Sequence, residues 1–218
     1  MIQKMVHFFV QGGFFMIPLG LCSLVSLAFI LERGFALRRK KVIQEDLREA
    51  IVSLEIGGRT TLIEHAATPG LTSLARLVRT CLEHLPWTKA ENVEAMQTVA
   101  RLEVVKMERG LVVLEIITGV SPLLGLLGTV SGLVVIFSSI GAAGLSTEGI
   151  VLARGISEAL NTTVAGLVIA IPSLIAHSYY SKKVESMTAE MEGICMDLLA
   201  KLYLQPFEEV QQALPLEK

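Results

Sequence analysis

With 218 residues, 52% of them hydrophobic, and a mean hydropathy of +0.59, the chain is too apolar for an ordinary soluble domain. The net charge of −2 says little as a total, because the placement of charge along the chain carries the information. Cys22, Cys81 and Cys195 are far apart in sequence and show neither CxxC nor metal spacing, so no disulfide framework is implied.

Residues 1–13 read as a short, weakly amphipathic lead with Lys4 and His7. Residues 14–31 form an uncharged run closed by Glu32-Arg33 and then by Arg38-Arg39-Lys40-Lys41. A signal peptide is the competing reading. Against it, the basic cluster follows the apolar run and no A-x-A site comes after. The stretch is therefore expected to be a retained membrane helix, with Pro18 tolerated in its first turns.

Residues 42–110 have the pattern of soluble helices. Ile43, Leu47, Ile51 and Leu54 make one apolar stripe, ended by Gly57-Gly58. A second helix, over about residues 71–85, carries Leu74, Leu77, Val78, Cys81 and Leu85 on one side, with Pro69-Gly70 before it and Pro86 after it. Thr88 and Glu91 form a capping box that launches a helix expected to continue through Arg109 into the next span. Cys81 and His84 share a helix face at a spacing that suits two metal ligands. No second pair exists, so a core cysteine beside a surface histidine is the expectation, with no metal and no cofactor.

Residues 111–181 hold two long apolar segments facing each other across a Gly/Ser turn. No charged side chain lies between Glu115 and Glu148, nor between Glu158 and Lys182, and each segment is long enough to cross a bilayer as a helix. Both are rich in small and hydroxyl residues, which suits contact with protein or a pore better than contact with lipid. Gly125, Gly128, Gly132 and Gly166, with Pro122 and Pro172, read as helix-packing positions. If the turn centres near Ser146, Thr129 and Thr163 lie equally far from it. They would then stand side by side, ~25 Å from the turn along the helix axes. Thr129 shares its stripe with Thr118, Gly125 and Gly132, and Thr163 shares its own with Ala159, Gly166 and Ala170. Their hydroxyls either bond back to their own helices and help packing, or serve an ion path.

Few ionisable groups lie near these spans. Glu158, one turn from Thr162, is either an acid working within the membrane or an interfacial carboxylate paired with Arg154. Glu115 and His177 are also equidistant from Ser146 and are expected to approach each other at the cytoplasmic mouth. Asn161-Thr162-Thr163 matches a glycosylation sequon, but it lies inside a span, where it means nothing as one. In residues 182–218, Val184, Met187, Met191, Ile194 and Leu198 recur at alternating three- and four-residue intervals, a coiled-coil-like seam. That seam packs either on the chain's own soluble bundle or on another subunit. The residues after Pro206 read as a tail.

Arg33, Arg38, Arg39, Lys40, Lys41, Lys106, Arg109, Lys182 and Lys183 flank the proposed inner ends of the spans, against Lys4 and Arg154 near the outer ends. The expected fold is an all-α membrane protein with three transmembrane helices, long cytoplasmic helical extensions and the N-terminus outside. Its parts are an N-terminal periplasmic lead with the first span (1–37), a cytoplasmic helical domain (38–110), a transmembrane hairpin (111–181), and a C-terminal cytoplasmic helix with its tail (182–218). No HExxH, GxSxG or kinase-like set is present, and the glycines of GLLGTVSG precede no Gly-Lys-Ser/Thr, so no enzyme is expected.

SPLLGLLGTVSGL at residues 121–133, followed by GISEALNTTVAGLVIAIP at 155–172, resembles the signature of the ExbB/TolQ/MotA family of ion-driven inner-membrane motors, most closely its ExbB/TolQ branch. A weaker likeness extends to IPLGLCSLVSLAFILERGFALRRKK near the start. Ser121, Ser131 and Asn161 depart from the usual pattern. The resemblance implies that Thr129 and Thr163 line a central pore, and Thr162, Asn161 and Glu158 are taken with them as candidates for the ion path. It further implies a homo-oligomeric ring, a pentamer in the family, around the single span of an ExbD- or TolR-like partner. That partner supplies the membrane Asp this chain lacks, and force passes to a TonB- or TolA-like protein. The implied location is the bacterial inner membrane, with no nucleic-acid partner. A non-conducting membrane scaffold is the alternative reading.

Overall fold

A computed structural model describes residues 14–52, 72–140 and 148–204. Seven helices occupy these residues: α1 (Met16–Ala36), α2 (Arg39–Val42), α3 (Glu45–Val52), α4 (Ser73–Glu83), α5 (Lys89–Glu108), α6 (Leu111–Ile140) and α7 (Glu148–Tyr203). The protein is all-α among the described residues. The lead with Lys4 and His7, the break at Gly57-Gly58, Leu54, Pro69-Gly70, the turn around Ser146 and the tail lie outside them.

Helix α1, residues Leu111–Ser138 and residues Gly155–Tyr203 include stretches long and apolar enough to cross a membrane. Their outward faces are large and apolar, with Leu24, Leu123 and Val168 each more than half exposed. Lipid tails satisfy such surfaces at no cost, whereas water does not.

The chain divides into two compact units. The first holds α1 as far as Arg33, α6, and α7 as far as Tyr180. Here α1 lays Met16 and Leu19 on Ala165, beside Leu124 and Ile169. Ser26 and Ser173 share a hydrogen bond of 2.6 Å, and the Tyr180 hydroxyl donates to the Ile30 carbonyl at 3.0 Å. The Arg33 side chain crosses Gly110 so closely that a Cβ there would meet Nε.

The second unit holds α2 to α5 and α7 from Ser181 on. Thr72 caps α4, accepting from the Ala75 amide, and the Thr88–Glu91 capping box starts α5 as the residue types require. Ile43, Leu47, Ile51, Leu74, Leu77 and Val78 are fully buried, so both apolar stripes read from the sequence face this core. Cys81 is buried and His84 bonds the Thr80 carbonyl through Nδ1 at 2.8 Å, its ring set edgewise on Trp87.

One expectation changes, and for the α7 seam one of the two open readings is met. Helix α5 ends at Glu108 and α6 begins at Leu111, so the continuous helix is interrupted at Arg109-Gly110, where glycine weakens helical propagation. The seam on α7 turns inward onto the protein's own bundle: Val184, Met187, Met191 and Leu198 are buried, with Cys195 rather than Ile194 deepest at its level. The Cys81 contact and burial push the Cys195 thiol well above its ordinary range, which keeps it protonated and inert.

Candidate functional site

The site is the seam between α6 and α7. Glycines let the two backbones approach, because each occupies a point where a side chain would collide. A Cβ on Gly125 would lie 2.8 Å from the Thr162 carbonyl oxygen and 3.0 Å from the Thr163 Cα. One on Gly128 would lie 2.5 Å from the Thr162 Oγ1, and one on Gly132 would lie 3.0 Å from the Ala159 Cβ. From the other side, a Cβ on Gly166 would lie 2.5 Å from the Ser121 carbonyl oxygen.

This packing brings two hydroxyls to one carbonyl. Thr162 shares its one hydroxyl proton between the Gly125 oxygen at 3.0 Å and the Ala159 oxygen of its own helix at 2.7 Å, and Thr163 donates to the Gly125 oxygen at 3.2 Å. Thr129 instead donates to the Leu126 oxygen of its own helix at 2.6 Å. Gly128 faces Thr162 and Gly132 faces Ala159, so Thr129 stands level with that turn of α7. The Gly132–Ala159 contact and the approach of a Gly166 Cβ to the Gly125 Cα, at 3.0 and 3.3 Å, both centre within a residue of Ser146. Thr129 and Thr163 nevertheless use different carbonyls, and no hydrogen bond joins them.

Carbonyls only accept, so the protons of Thr129, Thr162 and Thr163 are committed to backbone oxygens. What each hydroxyl keeps is lone pairs. In this arrangement the threonines suit a water, a cation or the O–H of a protonated carboxylic acid. A carboxylate would require a hydroxyl to rotate off its carbonyl.

Other singled-out residues are placed as follows. Asn161 is half-buried beside the threonines on α7. Glu158 lies on α7, but its side chain is outside the described residues, as is that of Arg154. Glu115 is exposed on α6 and His177 half-buried on α7, and no hydrogen bond or ion pair joins them. Pro122 and Pro172 lie inside α6 and α7, where each frees one backbone carbonyl. Ser121, next to Pro122, is fully buried with its Oγ unpartnered. Sequence reasoning missed the Ser26–Ser173 pair. Its only local signal was a hydroxyl in each of two spans. Among the described residues, no group of three or more His, Cys, Asp or Glu side chains is placed to hold a metal.

Comparison with known proteins bears on the same stretch. Residues 72–193 match the family described as the MotA/TolQ/ExbB proton channel family. The chain is 34% identical over 175 residues to a putative biopolymer transport protein ExbB-like 1 of Synechocystis sp., covering 79% of this chain and 68% of that one. It is 31% identical over 186 residues to the biopolymer transport protein exbB1 of Vibrio cholerae, covering 84% of this chain and 81% of the relative. A Helicobacter pylori putative ExbB-like protein is 29% identical over 187 residues, with 83% and 87% covered.

Proposed function

The chain belongs to the MotA/TolQ/ExbB proton channel family and is a multi-pass membrane protein, and on that premise we propose that it is the pore-forming subunit of an ion-driven inner-membrane motor. In this reading the second unit is cytoplasmic, the N-terminus is outside, and several copies form a ring around a single-span partner of the ExbD or TolR type. The partner brings an Asp to the level of Thr162 and Thr163, and the motor drives a TonB- or TolA-like protein.

The observation that carries the reading is the sharing of the Gly125 carbonyl by two hydroxyls inside a hairpin without charge at that level. The chain offers polar groups there but no titratable one, so proton transfer across ~30 Å of hydrocarbon needs an acid from elsewhere. A protonated Asp donates to a threonine oxygen as the site stands. Once its proton has passed to water, the carboxylate needs donors, and a hydroxyl turning from Gly125 supplies one. Protonated and ionised states of the guest acid thus prefer different hydroxyl positions, which couples ion passage to movement.

The test is proton influx into vesicles holding the chain and its single-span partner, driven by an imposed potential. Thr129→Ala and Thr163→Ala should each cut influx at least about tenfold, equivalent to ~1.4 kcal/mol of barrier, while the complex keeps its size. Gly128→Leu should break the complex itself. Unchanged influx in both threonine variants would discard the ion path and leave a scaffold.

A further inference from the structure

The second unit carries two outward faces that its own fold leaves uncovered. On α5 the charged Glu103 is only 2% exposed, while the apolar Leu102 and Val105 stand 57% and 61% exposed. Met96, Ala100 and Met107 share the inward side with Glu103, so Leu102 and Val105 make a second apolar face, which a helix covered from one direction alone does not need. Arg101 and Arg109 border the apolar pair, and neither has an ion-pair partner among the described residues. On the α7 segment of the same unit, Ala189 and Gly193 form a shallow exposed track, with nothing within 4 Å of the point a Gly193 Cβ would occupy. Glu185 and Glu192 border that track. Glu192 has no ion-pair partner among the described residues, and Glu185 meets the exposed Lys182 at 2.9 Å.

We infer that a second copy of this chain covers both faces, with Leu102 and Val105 of one protomer seated in the Ala189–Gly193 track of its neighbour. The charges choose the occupant. Two arginines two turns apart meet two glutamates two turns apart, at spacings of ~12 Å and ~10 Å along their helices. Laid antiparallel, Arg109 comes opposite Glu185 and Arg101 opposite Glu192, which places Leu102 and Val105 against the residues that lack bulk. Within one protomer the start of α5 already meets the end of α7, where the Asn92 Nδ2 donates to the Tyr203 hydroxyl at 3.1 Å. The contact is heterologous: each copy gives one face and receives on the other, the arrangement that closes into rings. It rests on the ring of the proposed function and adds which surfaces build it.

The test uses the full chain in membranes. Leu102→Cys combined with Gly193→Cys should give, on mild oxidation, a ladder of covalent multimers. Either variant alone, with the three native cysteines present, should give none. Arg101→Glu added to the pair should abolish the ladder, and Glu192→Arg added in turn should restore it. No ladder from a chain that light scattering shows to be oligomeric overturns the inference and spares the ring. A monomeric chain overturns both. A photo-crosslinker attached at Leu102→Cys that captures only the single-span partner also overturns it.

Discussion

Ser26 and Ser173, 2.6 Å apart and both buried, join the first apolar helix to the last. Their roles differ. Ser173 also donates to the Ile169 carbonyl at 2.8 Å, so removing Ser26 leaves it satisfied, whereas removing Ser173 leaves Ser26 without its partner. Ser173→Ala should therefore destabilise the membrane unit more than Ser26→Ala. A double-mutant cycle on unfolding in mixed micelles should give a coupling of about 0.6 kcal/mol. Zero coupling would mean that the two hydroxyls do not need each other. At this scale the sequence was legible where chemistry repeats locally: small residues and hydroxyls at helical spacing marked the α6–α7 seam. A pair separated by most of the chain leaves no such pattern.

Among the elements, α5 shows how a helix can hold charge inside. Burial raises the Glu103 carboxyl, but hydrogen bonds from Lys106, Arg76 and Ser73 outweigh it and hold the group below its ordinary value of 4.5. A folded-state value depressed in this way stabilises the fold above the unfolded value, and the gain is lost as pH falls through the folded one. The helical bundle should therefore keep its full Glu103 contribution above about pH 5 and lose it progressively below pH 4.5. Glu103→Gln should lower stability at pH 7 by ~1–3 kcal/mol and flatten the acid limb of the unfolding midpoint against pH. An unchanged acid limb would assign that limb to other carboxylates. Caps and stripes in this bundle were legible because they are local. The burial of Glu103 was not, since its partners Ser73 and Arg76 come from another helix.

For the whole molecule, the charge-free runs announced three membrane helices because hydrocarbon tolerates little else. The partners of the threonine hydroxyls were less legible: Thr163 reaches across to the Gly125 carbonyl while Thr129 turns to its own helix, and no spacing in the sequence marks which. Orientation is a separate prediction, argued from the basic clusters beside the inner ends. In intact cells a membrane-impermeant maleimide should label Phe14→Cys and spare Thr98→Cys, with both labelled after lysis. The opposite pattern would invert the topology.

The Gly125 carbonyl is oversubscribed. Inside α6 it already receives the amide of Thr129, as a helix requires, and two threonine hydroxyls then compete for what remains of its two lone pairs. Three claimants on two seats means that none is firmly seated, and Thr162, which keeps the Ala159 carbonyl at 2.7 Å, can give up its place at least cost. Thr162 is thus kept on a short leash, held well enough to be orderly and loosely enough to change allegiance at small cost.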